Sequence, residues 1–260
     1  DAESEKIWKS TSSNIVVKRA GRADNFWGPT GDEGPCGPTS EIYVDGIEVW
    51  NLVFNQYYQK KDKTLEPLKT PGIDTGMGLE RLVMVFQKKS NIFETDLFEP
   101  IIKLIPQEIE TRIKRIIADH VRAVTFLIAE GIIPSNKDRG YVLRKLIRRI
   151  LAYQHLYYQK NSKIDIYNLI TSVVDIFKEI YPKLNDMIAS GTLMDEAINN
   201  ETQKFLKTLD RGLKELDKVQ KLDAMSTFKL FESYGLPYEI IKELGGDKAK
   251  NLTREAFDEK

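Results

Sequence analysis

Between Ile73 and Leu82 the chain reads Ile73-Asp74-Thr75-Gly76-Met77-Gly78-Leu79-Glu80-Arg81-Leu82, which brings a carboxylate, two closely spaced glycines and an arginine together. A carboxylate at the end of a strand can pair with an ammonium group through a charge-assisted hydrogen bond. Gly76 and Gly78 permit close approach of a ligand to the backbone, or a positive φ. Arg81, in the first turns of a following helix, has the geometry to clamp phosphate oxygens bidentately. No G-K-[ST] follows the glycines, so this is not a Walker loop. Each residue also has an ordinary reading. Thr75 suits a cap for a helix beginning near Met77, Asp74 is open between cap and ligand, and Arg81 alone reads as a solvated side chain.

Just upstream, Val49-Trp50-Asn51-Leu52-Val53-Phe54-Asn55-Gln56-Tyr57-Tyr58 has the composition of a long strand. Its side chains alternate faces. Trp50, Leu52 and Phe54 are expected in the core, while Val49, Asn51, Val53, Asn55 and Tyr57 share the other face. The asparagine amides there need partners. They are either exposed and bonded to neighbouring backbone, or they floor a pocket in which Val53 limits size and Asn51 supplies an amide.

A second cluster runs from Arg139 to Arg149 and holds Arg139, Arg144, Lys145, Arg148 and Arg149 with no acidic side chain. Leu143, Leu146, Ile147 and Ile150 form its apolar face. Arg144/Arg148 and Lys145/Arg149 are like-charge i, i+4 pairs, which repel in an isolated helix. An external polyanion such as RNA phosphate would relieve them; a solvated basic face is the plainer alternative. The turn Pro134-Ser135-Asn136 sets an amide beside this patch. His120 and His155, the only histidines, sit in no ligand-like cluster, so no metal site is expected.

The elements that must hold these residues follow from periodicity. Asn14–Val17 reads as a short strand and Asp24–Pro38 as a glycine- and proline-rich loop. Glu41–Asp45 reads as a strand, Asp45-Gly46 as a hairpin turn, and Ile47 to about Gln59 as the next strand, closed by Lys60–Lys63. Leu79, Leu82, Val83 and Phe86 then repeat at helical spacing. Helical segments are expected at 109–130, 141–158, 164–181 and 195–221, with a turn at Tyr234-Gly235-Leu236-Pro237. The expected fold class is α+β, with residues 1–100 sheet-rich and 101–260 mainly helical.

Composition sets limits. The chain has 260 residues, 41% of them apolar, enough for a core and for two domains. Basic and acidic residues balance at 39 each, so any nucleic-acid surface must come from local clustering. A single cysteine, Cys36, excludes an internal disulfide framework and fits a reducing compartment. No apolar run reaches the ~18–20 residues that cross a bilayer. A cytoplasmic protein without membrane contact is the expectation. The sequence opens on Asp1 and reads at once like the middle of a helix, as a piece of a longer protein would.

The ordered set Asp24-Asn25-Phe26-Trp27, Gly34-Pro35-Cys36-Gly37-Pro38, Trp50-Asn51-Leu52-Val53-Phe54, Asp74–Arg81, Ala118-Asp119-His120-Val121-Arg122-Ala123, Pro134-Ser135-Asn136, Arg139–Arg144 and Phe228–Pro237 resembles the alanyl-tRNA synthetases across nearly the whole chain. The resemblance implies the second half of a class II catalytic domain, an antiparallel sheet flanked by helices, followed by an all-helical tRNA-recognition domain. It makes Gly76–Arg81 motif 3, with Gly76, Gly78 and Arg81 at ATP and with Asp74 and Arg81 as the catalytic pair. The alanine pocket maps onto Trp27, Asn51, Val53, Asp74 and Gly76. Reading of the acceptor-stem G·U pair falls on Asn136 and Glu232, among Arg139, Arg144 and Arg148. Glu232 stands where the family has aspartate, so its acceptor group lies about a bond length further out. Implied partners are alanine, ATP with Mg²⁺ and the acceptor stem of alanine tRNA. Motifs 1 and 2 are expected in an N-terminal half, in the same or a separate chain. The zinc-bearing editing domain is expected after Lys260, with no zinc in this segment. The activity implied is alanine–tRNA ligation. Alternatives are a non-catalytic remnant that binds acceptor stems and an amino-acid-binding regulatory relative; the intact Asp74, Arg81 and alanine pocket argue against RNA binding alone.

Overall fold

The computed structural model describes residues 2–158 and 163–260, which divide into two compact units, Asp1–Thr95 and Asp96–Lys260. The fold is α+β. In the first unit, α1 (Ala2–Thr11) precedes a four-stranded antiparallel sheet in the order β1-β2-β3-β4. The strands are β1 (Phe26–Trp27), β2 (Gly34–Val44), β3 (Ile47–Gln59) and β4 (Leu65–Met77), and α2 (Leu79–Phe86) follows directly.

The β2–β3 hairpin forms where the sequence calls for it. Asp45 and Gly46 both take positive φ, 52° and 80°, as a two-residue turn matched to strand twist requires. Elsewhere the strands depart from expectation. Asn14–Val17 is irregular chain with no pairing strand, and Val16 is 81% exposed. The glycine- and proline-rich stretch is not a loop throughout. Phe26–Trp27 and Gly34–Pro38 are paired, and a register shift between Cys36 and Thr39 absorbs the prolines. Gly37 is obligatory there, since a Cβ would stand 1.7 Å from the Phe54 carbonyl oxygen.

Two further expectations change. Trp50, Leu52 and Phe54 are only half-buried, and the buried residue of β3 is Val49, from the opposite face. The apolar stripe of α2 is real as a period but not as a core face. Leu79, Leu82 and Phe86 are exposed, and Met84 is the residue that α2 buries.

The second unit is helical. Its helices are α3 (Glu99–Lys103), α4 (Thr111–Ala129), α5 (Asp138–Tyr158), α6 (Ile166–Phe177), α7 (Lys183–Ser190), α8 (Thr192–Lys218), α9 (Ala224–Tyr234), α10 (Tyr238–Gly245) and α11 (Arg254–Asp258). Each long helix buries a 3.6-period stripe. In α4 the stripe is Ile113, Ile117, Val121, Val124 and Ile128; in α5 it is Leu143, Ile147 and Ile150, with Leu146 half-buried. Burying each such side chain contributes about 1.5–3 kcal/mol. Phe126 packs its ring 5.3 Å from both Phe177 and Tyr181. Asp165 caps α6 by accepting from the Tyr167 and Asn168 amides, and Asp223 with Ser226 forms a capping box on α9. Among the described residues no helix is long and apolar enough to cross a membrane.

Candidate active site and candidate RNA-binding cleft

The first unit's candidate residues are brought together by strand register. Cα partners across an antiparallel pair send their side chains to the same face. In β3 and β4 those partners are Asn51 with Gly76 and Val53 with Asp74; in β2 and β3 they are Glu41 with Asn51 and Thr39 with Val53. One sheet face therefore carries Asp74, Val53, Asn51 and the bare backbone of Gly76. A Cβ on Gly76 would meet nothing within 4 Å, so that backbone opens onto free space. The Asn51 amide nitrogen approaches Glu41 Oε1 at 3.5 Å, while its Oδ1 is buried with no partner. Asn55 Oδ1, on the same face of β3, is likewise buried and unpartnered. Trp27 sits on β1 opposite Gly37, partly exposed.

Several local readings are corrected. Asp74 and Gly76 lie within β4 rather than beyond a strand end, and Asp74 is exposed. Neither Gly76 nor Gly78 takes a positive φ; the chain runs from strand to helix with Gly78 as N-cap and no side-chain cap. Thr75 is therefore not a cap. Its hydroxyl receives the Trp50 indole N–H and donates to the Asn51 carbonyl at 3.1 Å, on the opposite face from Asp74.

Arg81 stands where β4 passes into α2. Its Nη1 donates to the Glu48 carbonyl at 3.2 Å and pairs with Glu48 Oε2 at 3.3 Å. Glu48, Glu41 and Tyr43 are neighbours that residue patterns alone did not single out. Tyr43 donates to Glu41 Oε2 at 2.6 Å, and that hydrogen bond pushes its phenol above the usual range. Glu41 was legible only as the residue facing Asn51 once the register is known.

In the second unit, Asn136, Arg144, Arg148 and Glu232 line one cavity of 380 Å³. Arg139 is exposed on α5, outside that lining. The loop before α5 is fixed by Gly140, where a Cβ would stand 2.3 Å from Ser135 Oγ, and by the Ser135 amide, which donates to the Gly140 carbonyl at 3.0 Å. Opposite it, Gly235 ends α9 with φ 69°, and the Tyr234 carbonyl accepts from Thr208 Oγ1 at 2.9 Å.

The charge balance of this cleft differs from the sequence expectation. The like-charge pairs of α5 are relieved from within. Glu201 of α8, 2% exposed, accepts from Arg148 Nε at 2.5 Å and from Arg144 Nε at 3.2 Å. Lys145 pairs with Glu239 at 3.4 Å, and Arg149 Nη1 lies 3.3 Å from His120 Nε2. Burial pushes the Glu239 carboxyl up, but a backbone amide and the cations Lys145, Arg149 and Arg254 leave it below its usual range. Repulsion along α5 thus does not by itself demand an outside polyanion. Glu201 escaped sequence reading because it looks like any glutamate of a charged helix. The one signal was its spacing, since it falls with Ile198 and Phe205 on the buried stripe of α8. Among the described residues no group of three or more His, Cys, Asp or Glu is arranged to hold a metal ion.

A family model described as tRNA synthetases class II (A) matches residues 46–260. The chain is 37% identical to an alanine–tRNA ligase of Thermotoga maritima, over 99% of this chain and 34% of the relative. It is 34% identical to an alanine–tRNA ligase of Hydrogenovibrio crunogenus, over 100% of this chain and 33% of the relative. The chain therefore spans about a third of the length of the curated relatives it matches.

Proposed function

The chain belongs to the class II (A) tRNA synthetase family, and from that membership we propose that it forms part of an alanine–tRNA ligase. The reaction joins alanine to ATP, carried with Mg²⁺, as alanyl-adenylate with release of pyrophosphate. The alanyl group then passes to the 3′ end of alanine tRNA. The observation that carries this reading is the β3–β4 register, which gives Asp74 and Val53 one face. On it the Asp74 carboxylate receives the ammonium of alanine, and Val53 bounds a pocket sized for a methyl group. Asn51, Trp27 and the bare Gly76 backbone complete the pocket. Arg81, with the close backbone at Gly76 and Gly78, attends the ATP phosphates.

As the alanine carboxylate attacks the α-phosphorus, negative charge builds on the phosphoryl oxygens and on the leaving pyrophosphate. Arg81 offsets part of it from one side. A second clamp, the motif 2 arginine, is assigned to an N-terminal half in the same or a separate chain. Loss of one such clamp raises a barrier by roughly 3–4 kcal/mol, so the 260-residue chain alone is expected to be a poor catalyst. The helical unit binds the acceptor stem, with Asn136 and Glu232 at the G·U pair and Arg139, Arg144 and Arg148 toward the backbone. The reaction is assigned to the cytoplasm, in keeping with the single reduced cysteine.

Alanine-dependent exchange between ATP and pyrophosphate tests this reading, measured with and without the N-terminal half. Exchange appearing only with both halves is expected. Exchange absent even after complementation removes the ligase reading and leaves acceptor-stem binding as the alternative.

A further inference from the structure

The loop that carries Asn136 and the helix end that carries Glu232 are tied to one buried carboxylate. Glu201 divides its oxygens between two arginines, Oε2 to Arg144 and Oε1 to Arg148. Each arginine then reaches onward with a second nitrogen. Arg144 Nη1 donates to Asn136 Oδ1, and Arg148 Nη1 donates to the Gly235 carbonyl at 3.5 Å. Gly235 is the C-cap of α9, three residues beyond Glu232. Glycine suits it, because its φ is 69° and a Cβ would stand 2.1 Å from Arg148 Nη1, which would have to shift. Arg148 is also stacked 5.3 Å from the Phe205 ring, one turn along α8 from Glu201.

We infer that Glu201 is a positioning residue for base reading: through Arg144 and Arg148 it fixes the orientation of the Asn136 amide and the position of the α9 end that bears Glu232. This rests on the acceptor-stem role proposed above. The chemistry follows from the donors. Arginine can only donate, so the Asn136 atom that faces Arg144 must be its carbonyl oxygen. With its oxygen turned to Arg144, the amide presents its N–H₂ group as the donor to the cleft. Glu232, an exposed carboxylate, offers only acceptors. A fixed donor beside a fixed acceptor suits the minor-groove edge of a G·U wobble, where the guanine N2 amino group is released from the pyrimidine O2 that it bonds in G·C. Were Arg144 released, the Asn136 amide would be free to rotate and present either end, and that discrimination would fade. A carboxylate at 201 is needed because two guanidiniums converge on it; an amide has only one acceptor oxygen.

The test uses the 260-residue chain and two acceptor-stem hairpins that differ only in G·U versus G·C at the recognised pair, with binding followed by fluorescence anisotropy. Wild type should prefer the G·U hairpin. Glu201→Gln should cut that preference about tenfold while leaving G·C affinity within about twofold. Glu201→Gln keeping the full preference, or weakening both hairpins equally, overturns the positioning role. If circular dichroism shows Glu201→Gln unfolded, Arg144→Met takes the same test. It keeps the Glu201–Arg148 pair while removing Arg144's links to Asn136 and Glu201 and its proposed backbone contact, so affinity for both hairpins falls; preference retained in it overturns the inference. A wild-type chain that binds both hairpins alike overturns the acceptor-stem reading first, and this inference with it. Wild-type preference that survives in the variants overturns the inference alone.

Discussion

Asp74 and Val53 are Cα partners in the β3–β4 ladder, so the carboxylate and the branched apolar side chain stand side by side on one sheet face. In the proposed site that pairing sets the ammonium-binding carboxylate beside the size-limiting wall without any turn or loop between them. Rigid strands position such a site more closely than loops do. It also means that β4, one of the two edge strands of this sheet, carries the acid. Asp74 is exposed here, as one wall of a site would be.

Asp74→Ala is expected to remove alanine binding and leave acceptor-stem binding unchanged, because the two functions lie in different compact units. Loss of a charge-assisted hydrogen bond of this kind costs on the order of 2–3 kcal/mol. Calorimetric titration with alanine and anisotropy with a hairpin RNA measure the two arms. An equal fall in both would contradict the division of labour.

Gly76 and Gly37 should respond oppositely to alanine substitution. At Gly76 a Cβ meets open space and φ is ordinary, so Gly76→Ala should melt within a few degrees of wild type while its methyl intrudes on the alanine site. At Gly37 the Cβ would stand 1.7 Å from a carbonyl oxygen, so Gly37→Ala should lose about 3 kcal/mol of stability or fail to fold. Thermal melts of both variants, with exchange assays on the complemented enzyme, decide it.

Arg81→Ala should slow alanine-dependent exchange by roughly 3 kcal/mol in barrier, in the complemented enzyme. Its stability should hardly change. The Arg81–Glu48 pair is solvent-exposed, with side chains 54% and 33% accessible, and pairs of that kind contribute about 0–1 kcal/mol. A melting temperature that fell along with activity would mark Arg81 as structural.

How far the sequence reached can be read residue by residue. The hairpin at Asp45-Gly46, the extent of β3, the long helices and the sharing of one face by Asn51 and Val53 follow from alternation, 3.6-residue spacing and turn chemistry. Those rules are local, and they hold wherever the chain's own neighbours decide the outcome. They fail where a distant partner decides. Thr75 had the chemistry of a cap, but β4 continues past it because Leu52 pairs there. Gly34–Pro38 had the composition of a loop, but β1 and β3 pair across it. The repulsion inferred between Arg144 and Arg148 overlooked Glu201, separated from Arg144 by 57 residues of sequence and in contact in space.

Tyr153 gives the helical unit a defined alkaline limit. Its hydroxyl donates to Glu243 Oε2 at 2.6 Å, and burial, then that carboxylate, push its phenol up to about 12. An unfolded chain would lose the proton near pH 10. The folded state therefore holds a proton that the unfolded state releases between about pH 10 and 12, and stability falls as pH rises through that window. The contribution present below pH 10 and lost by about pH 12 is on the order of 2–3 kcal/mol. Tyr153→Phe should be less stable at neutral pH, by about 1 kcal/mol for the lost hydrogen bond, yet show a shallower alkaline decline. Melting temperatures from pH 8 to 12 for both proteins provide the comparison, and parallel curves would refute it.

Glu232 gives the sharpest test of the RNA reading proposed for the cleft. It is exposed on the last turn of α9, and its carboxylate is a pure acceptor at the rim of the cavity that Asn136 also lines. In a G·U wobble the guanine N2 amino group is left without a base partner in the minor groove, whereas in G·C it bonds the cytosine O2, so an added acceptor separates the two pairs. Glu232→Ala removes the acceptor and should cost about 1–3 kcal/mol of preference for the G·U hairpin. Glu232→Gln retains one carbonyl oxygen and should keep part of that preference, because an amide oxygen still accepts from an amino group. Phosphate contacts of the kind proposed for Arg144 and Arg148 are blind to sequence, so affinity for a G·C hairpin should not fall in either variant. It should rise slightly as a negative charge leaves the cleft, more at low salt than at high. A ranking of wild type, Gln, then Ala in preference, with G·C affinity flat or rising, is the expected pattern; Gln and Ala behaving alike would mean that Glu232 acts through its charge and not as a base-reading acceptor.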